Sequence, residues 1–173
     1  YCTVIDYLWL MMKKEHIPIH TLGERNRPDL QIRHFQNGVN AHGLEVRHYL
    51  DHYDEEQQNE FYAHRDEDYF FLLVERGYAS MNVDFETVEF TGKDIYFVAP
   101  GQVQYDVKDK QSDYWYISAG PSQIPKEYLA VFENNNPFQK PQNLSEPEFE
   151  QCLSVVELLA GQVSGHPESA DYR

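Results

Sequence analysis

The chain has 173 residues, enough for one domain, with or without an appended helical segment, to bury a core without a metal or a disulfide. Its net charge of −15, from 29 Asp and Glu against 14 Lys and Arg, excludes binding of a phosphate backbone by this chain, because that binding depends on Lys and Arg displacing counterions. Cys2 and Cys152 lack the close spacing of a disulfide framework or a zinc motif, which indicates a reducing, cytoplasmic location.

The N-terminal residues 1–14 predict an extension of the domain. Their apolar run, residues 7–12, is much too short to span a membrane, so we expect no membrane contact. Met11 or Met12, followed by two lysines, is a plausible true start, and the residues before it are then an upstream extension. A short ordered helix is the alternative.

The next part of the chain predicts two early strands and a long loop. Alternation of apolar and polar residues indicates a strand at 16–22, where Pro18 favours an edge position, and another at 30–35. Residues 37–60 are polar and show no clear periodicity. They predict a long loop with room for one strand at 44–49.

Residues 69–105 contain short apolar runs with a turn signal at each break. The signals are Gly77, where a tight hairpin needs a positive φ, and the turns at 92–94 and 100–101. Gly92 is expected to have a positive φ as well. Short, evenly spaced strands predict an antiparallel barrel or sandwich, because a parallel sheet needs helical crossovers. The strands are predicted at 69–74, 81–85, 88–90, 95–98, 103–107 and 114–119.

Two helices are predicted after the strands. Apolar side chains fall at helical spacing in residues 126–133. Ser145 and Glu148 then form a capping box, followed by an apolar stripe that predicts an amphipathic helix of about five turns. The stripe consists of Phe149, Cys152, Leu153, Val156, Leu159 and Val163.

With these elements placed, the sequence resembles the N-terminal cupin-like sensing domain of AraC-family transcriptional regulators. The resemblance rests on His64, on LLVERG at 72–77 and on FTGKDIYFVAPGQV at 90–103, where a Gly-Asp turn leads into a strand that ends in Pro-Gly. It covers the chain from about residue 16 to the amphipathic helix.

The resemblance implies a mainly β fold with a small-molecule effector. Residues 15–122 are expected to form a cupin-like antiparallel β-barrel (a double-stranded β-helix or jelly roll), and 123–173 a helical linker and dimerisation segment. Members of the family carry a C-terminal pair of helix-turn-helix motifs, and too few residues follow the amphipathic helix to form one. We therefore expect a regulatory half that reaches DNA only through a domain absent from this chain.

Neither a metal site nor a catalytic site is predicted. In enzymatic cupins an H-x-H pair, a glutamate and a later histidine hold a transition metal. Here the first motif is His64-Arg65-Asp66, Gln104 stands at the late histidine position, and Glu75 is displaced. One imidazole and a displaced carboxylate rarely hold a metal, and no nucleophile lies near a base in sequence. We expect no metal, no cofactor and no enzymatic activity.

A ligand pocket inside the barrel fits the residues better, because barrels of this size enclose one small ligand. Parity places Tyr114 and Tyr116 on one face and Trp115 on the other, and leaves open which face is inward. Inward tyrosines would offer apolar surface and hydroxyls to a sugar or another metabolite, with Arg76 available for an anionic group. The alternative is that the aromatic side chains simply fill the barrel. The predicted ligand-binding residues are His64, Arg76, Tyr105, Tyr114 and Tyr116.

The amphipathic helix also has two interpretations. Its stripe could pack on the barrel of the same chain or pair with a second copy across a two-fold axis. The resemblance favours a homodimer. The predicted interface residues are Phe149, Leu153, Val156 and Leu159.

Three functions follow from these patterns. The favoured one is a ligand-sensing and dimerisation domain of an AraC-type transcription regulator. The first alternative is a freestanding cupin enzyme of the sugar-isomerase or dioxygenase type. The second is a dimerisation module with a filled barrel and no ligand.

Overall fold

Strands dominate the fold. The computed structural model describes residues 19–20, 39–41, 44–52, 63–134 and 140–164. All strand pairings among them are antiparallel except that of β1 with β4. The predicted fold class, mainly antiparallel β with C-terminal α-helices, is confirmed. The elements are β1 Ile19–His20, β2 Val39–Ala41, β3 Leu44–His52, β4 His64–Asp66, β5 Tyr69–Val83, β6 Glu86–Thr91, β7 Asp94–Val98, β8 Val103–Ala119, α1 Lys126–Asn134, β9 Gln142–Asn143 and α2 Glu146–Ser164.

Two long central strands, β5 and β8, belong to both halves of the sheet. The first part of β5 pairs with the last part of β8, between β7 and β3. The last part of β5 pairs with the first part of β8, between β6 and β4. The two halves pack against each other, so the sheet is folded into a roll with an apolar interior. The inner cluster consists of Phe70, Val74, Met81, Val83, Phe90, Tyr96 and Val98.

The roll depends on a bend in β5 at Gly77. This residue has a φ of +90°, and a Cβ there would lie 2.5 Å from the carbonyl oxygen of Gln111 and from the Cα of Ser112 on β8. The register of β5 against β8 shifts on both sides of the bend. The predicted positive φ is confirmed, but the predicted break between strands is wrong, because β5 continues through it. The strands predicted at 103–107 and 114–119 are likewise one strand, β8.

Two tight turns use non-glycine residues with positive φ. Asp84 and Phe85, with φ of 46° and 74°, form the two-residue connection between β5 and β6. The predicted strand 81–85 therefore ends at Val83. The turn predicted at 92–94 is confirmed, but its positive φ lies at Lys93, with φ 69°, instead of at Gly92. A Cβ at Gly92 would still be a tight fit, because it would lie 3.1 Å from a backbone oxygen of β5.

The N-terminal strands agree with the sequence in part. Strand β1 lies within the predicted strand 16–22, at an edge of the described sheet, and β3 contains the strand predicted at 44–49. The long loop predicted at 37–60 is wrong where β2 and β3 form an antiparallel pair. The strand predicted at 30–35 and the extension predicted at 1–14 lie outside the described residues.

Both predicted helices are present. Helix α1 matches the prediction at 126–133, and α2 packs on the outer face of the roll, where its Phe149 is buried beside Trp115. One half of the predicted capping box is present at the start of α2: the backbone amide of Ser145 donates to Glu148 Oε2 at 2.9 Å, and the Ser145 hydroxyl donates to the same oxygen at 2.5 Å. Among the described residues, no helix is long and apolar enough to cross a membrane.

Tyr96 makes the stability of the roll sensitive to alkaline pH. Burial, and then the charges of Asp84 and Glu86, raises the pKa of Tyr96 from 10.0 to about 12. Since the pKa is higher in the folded state, this contribution to stability is complete below about pH 10 and is lost as the pH rises towards about 12; two pKa units correspond to about 2–3 kcal/mol. We expect Tyr96→Phe to flatten this loss, measured by urea unfolding across that pH range.

The exposed Tyr128 provides the matched control, because Tyr128→Phe removes a phenol that is 58% exposed. We expect this control to lose stability with pH as steeply as the wild type. A Tyr96→Phe variant that did the same would show that burial of this phenol does not set the alkaline limit.

Candidate functional site

One side of the interior is polar, in contrast to the apolar inner cluster. Cross-strand neighbours share a face of a sheet, and β3 pairs with β8 so that Glu45, Arg47 and Tyr49 lie opposite Ser118, Tyr116 and Tyr114 respectively. Both of these β8 tyrosines pack against the inner cluster. We call this surface the inner wall. It consists of Glu45, Arg47, Tyr49, Tyr114, Tyr116 and Ser118.

The tyrosine face of β8 therefore points inward, which the sequence left open. The alternate residues of β8, Trp115 and Ile117, belong to an outer cluster that α2 covers. Val46, which lies between Glu45 and Arg47 on β3, belongs to the same outer cluster.

A buried ion pair occupies the β3 side of the inner wall. Glu45 is 2% exposed and Arg47 5% exposed. The Nε atom of Arg47 donates to Glu45 Oε1 at 2.5 Å, and Nη2 donates to the same oxygen. The other carboxylate oxygen, Oε2, is buried and has no hydrogen-bond partner in the part of the chain that the structure describes. Arg47 therefore donates hydrogen bonds to only one of the two carboxylate oxygens of Glu45.

Arg47 is held in its charged form. Burial lowers the pKa of Arg47. The electrostatic interactions and side-chain hydrogen bonds with Tyr49 and Glu45 raise it by a larger amount, so the pKa lies above its ordinary value. This arrangement fixes a guanidinium inside the roll although its surroundings are largely apolar. A permanent positive charge at this point is neutralised by Glu45.

Aromatic rings complete the inner wall. Tyr49 stacks on Tyr114 with ring centroids 4.7 Å apart, and Tyr116 stacks on Phe70 at 5.4 Å. Tyr114, Tyr116 and Leu72 pack against the inner cluster but remain partly exposed, so solvent reaches this part of the interior. The wall thus offers flat apolar surface beside charged and hydroxyl groups.

A second group of inward polar side chains lies where β4 meets β8. Gln104 pairs with both His64 and Val83, and Val83 belongs to the inner cluster. Gln104 Nε2 donates to Asp66 Oδ2 at 2.9 Å, and His64 Nε2 lies 3.9 Å from the same oxygen. The structure therefore brings together three polar residues whose sequence motifs were compared above with a metal site.

The five predicted ligand-binding residues do not all lie together. Tyr114 and Tyr116 share the inner wall, and His64 lies in the second inward group. Arg76 lies at the bend, where its side chain is 54% exposed and paired with Asp113. Tyr105 lies opposite Asn82 and near Phe85, with ring centroids 6.4 Å apart.

The residues that carry the charge inside the roll were not predicted from the sequence. Glu45, Arg47 and Tyr49 were assigned to a possible strand in a polar loop, and nothing marked them as inward. The available signal was Leu44 and Val46 alternating with these polar residues, which indicates a strand that faces two different environments.

The predicted interface residues of α2 pack on the sheet of their own chain. Phe149 is buried in the outer cluster, and Leu153, Val156 and Leu159 pack against that cluster. An apolar groove of about 330 Å³ remains between α2 and the strands beneath it. Val155 and Leu158 are each 65% exposed on α2. The homodimer stays a prediction.

Taken together, these features define a mainly antiparallel β domain, folded into a roll, with a polar and aromatic wall inside and a helix on its outer face. No protein-family model matches the sequence, and a search of the curated proteins finds no match. Solved structures similar to the chain include cupin proteins. One is an RmlC-like cupin family protein with a double-stranded β-helix fold from Methanocaldococcus jannaschii, at 15% identity over 56% of this chain and 88% of that one, with a TM-score of 0.41. Another is a cupin protein from Bacteroides fragilis, at 16% identity over 49% and 72% of the two chains, with a TM-score of 0.38.

The residues at the β4–β8 junction do not fit the transition metal of enzymatic cupins. Gln104 directs an amide N–H at Asp66, so the carboxylate oxygen nearest to His64 already accepts a hydrogen bond. Within the part of the chain that the structure describes, no group of three or more His, Cys, Asp or Glu side chains could hold a metal ion. No metal-dependent step can be derived from these residues.

Proposed function

We propose that this chain is the ligand-sensing and dimerisation domain of an AraC-type transcription regulator in the cytoplasm, and that it binds a small molecule inside the roll without catalysing a reaction. The observation that carries the proposal is the buried Glu45–Arg47 pair on the inner wall. A buried ion pair contributes little net stability compared with apolar side chains of the same size, because desolvation offsets the attraction. The pair itself is buried, but it lies on a wall whose tyrosines remain partly exposed, and this position supports a role in binding.

The geometry also supports communication between the interior and α2. Strand β8 carries Tyr114 and Tyr116 on its inner face and Trp115 on its outer face, and Trp115 packs in the cluster that contains Phe149 of α2. A ligand that shifts β8 would therefore alter the surface on which α2 lies. For this to act as a signal, the ligand must bind two arrangements of the domain with different affinity.

Ligand binding can be tested through the hydroxyl groups of the inner wall. We expect purified protein to show a rise in Tm with at least one sugar or small metabolite from a screened panel, and we expect Tyr114→Phe/Tyr116→Phe to reduce that rise while keeping the rings in place. Tyr128→Phe removes an exposed hydroxyl and serves as the control. A panel without any active compound would contradict the proposed function.

The second part of the proposal is a homodimer formed through α2, with DNA contacted by another domain. Val155 and Leu158 are exposed apolar residues beside the predicted interface residues. We expect Val155→Glu/Leu158→Glu to convert the dimer to a monomer in sedimentation equilibrium, because two charges would be buried without partners. Leu153→Glu is a poorer test, since Leu153 packs against the outer cluster of its own chain.

The control for assembly is Glu157→Lys, which changes a charge at an exposed position on another side of α2. We expect this variant to remain dimeric. Wild-type protein that sediments as a monomer would exclude the homodimer, and a double variant that stays dimeric would exclude this face of α2.

A further inference from the structure

The inner wall has a hydrogen-bond acceptor that none of the described residues uses. Glu45 Oε1 accepts two hydrogen bonds from Arg47, whereas the buried Oε2 accepts none from any described residue. A buried carboxylate oxygen without a donor is unfavourable, because it has lost water and gained nothing in exchange. A bound molecule that donates a hydrogen bond to this oxygen would remove the penalty.

We propose that the roll selects ligands that present an O–H or N–H donor to Glu45 Oε2 and carry no negative charge. The inference rests on the proposed function and names the chemical class that the same site would take. Glu45 becomes the residue that determines specificity. The Tyr116 ring, a diagonal neighbour of Glu45 on β8, supplies apolar surface against which the carbon skeleton of the ligand packs.

The charges of the interior explain why anions are excluded. The guanidinium of Arg47 donates through Nε and Nη2 to Glu45 Oε1 and also bonds to Tyr49, so its positive charge is matched within the wall. A carboxylate or phosphate at the inner wall would meet the lone pairs of Glu45 Oε2 beside a guanidinium whose charge is already matched, and the chain as a whole carries −15.

Arg76 does not alter this balance. From the sequence it was a candidate partner for an anionic group, but its guanidinium is half exposed at the bend and bonds to Asp113 through both Nε and Nη2. It lies at the bend of β5 and is not among the residues of the inner wall. Selection against negative charge is therefore set by Glu45.

Two kinds of ligand share the required chemistry, and matched compounds distinguish them. On each of several skeletons, an alcohol, an amine and a carboxylate are compared by thermal shift: D-glucose, D-glucosamine and D-glucuronate; glycerol, serinol and glycerate; benzyl alcohol, benzylamine and benzoate. A ligand at about ten times its Kd should raise the Tm by about 3–6 °C. We expect active compounds among the alcohols, the amines or both, and none among the carboxylates.

The variant Glu45→Leu/Arg47→Met removes the acceptor and its partner together, and Lys93→Met/Glu146→Gln removes an exposed ion pair outside the roll as the control. Binding that is lost in the first variant and kept in the second supports the assignment. An active carboxylate, or binding that survives Glu45→Leu/Arg47→Met, overturns the assignment and leaves the proposed function standing. If no compound of any charge binds, the result contradicts both this assignment and the proposed function.

Discussion

Replacing Arg47 by methionine is expected to lower the free energy of unfolding by about 3–5 kcal/mol, because it leaves the Glu45 carboxylate buried without a counter-charge. Both side chains are almost completely removed from solvent, so water cannot replace the lost guanidinium. The change should appear as a lower urea midpoint with little change in the m-value. It is among the largest effects that a substitution in this chain should have.

Removing both charges should have a much smaller effect. In Glu45→Leu/Arg47→Met no charge remains at this point of the wall, and apolar side chains of similar size occupy the space. Such replacements are often neutral, or stabilising by about 1–4 kcal/mol. We expect the double variant to be close to the wild type or more stable than it, so a double-mutant cycle should give a large coupling energy between the two positions.

The comparison separates a structural role from a functional one. If the pair were needed for stability, the double variant would lose as much as Arg47→Met does, and the argument that the pair serves binding would fail. If the double variant folds well and loses ligand binding, stability and function have been separated at a single pair of residues. The exposed pair Lys93 and Glu146 should show almost no coupling in the same measurement, because solvent screens it.

Local patterns predicted the elements whose cause is local. The helix after Ser145 follows from a capping box and an apolar stripe, and both are determined by residues a few positions apart. The turn at 92–94 follows from its glycine and aspartate. The Asp94 carboxylate accepts a hydrogen bond from the backbone amide of Thr91 at 2.6 Å. Such features can be found from sequence because no distant segment is needed to form them.

The candidate site could not be found in the same way, because its burial is caused by distant segments. Glu45 and Arg47 look like exposed residues of a polar strand until β8 lies beside them and the sheet folds over them. Which face of β8 points into the roll could not be predicted for a related reason. Tyr116 lies in the roll and Trp115 lies under α2, so both faces are covered and hydrophobicity alone cannot identify the inner one.

Gly77 illustrates the same limit and leads to a second large effect. A glycine with positive φ serves equally in a hairpin and in a bend within a strand, and only the neighbouring β8 distinguishes them. In Gly77→Ala, the positive φ alone should cost about 1–3 kcal/mol. The new Cβ would also lie 2.5 Å from backbone atoms of Gln111 and Ser112, which cannot move without opening the sheet. We therefore expect a loss clearly beyond that range, measured by urea unfolding.

Gly101 is the matched control for this overlap. Its φ of +81° is close to the +90° of Gly77, yet a Cβ at Gly101 would have no heavy atom within 4 Å outside its own residue and its two chain neighbours. Gly101→Ala should therefore show the backbone cost alone, and the difference between the two variants measures the close contact of β5 with β8. Equal losses would mean that the strands can separate at the bend without cost. A larger loss at Gly77 would mean that this contact fixes the fold of the sheet, and with it the distance between the inner wall and the residues that face it.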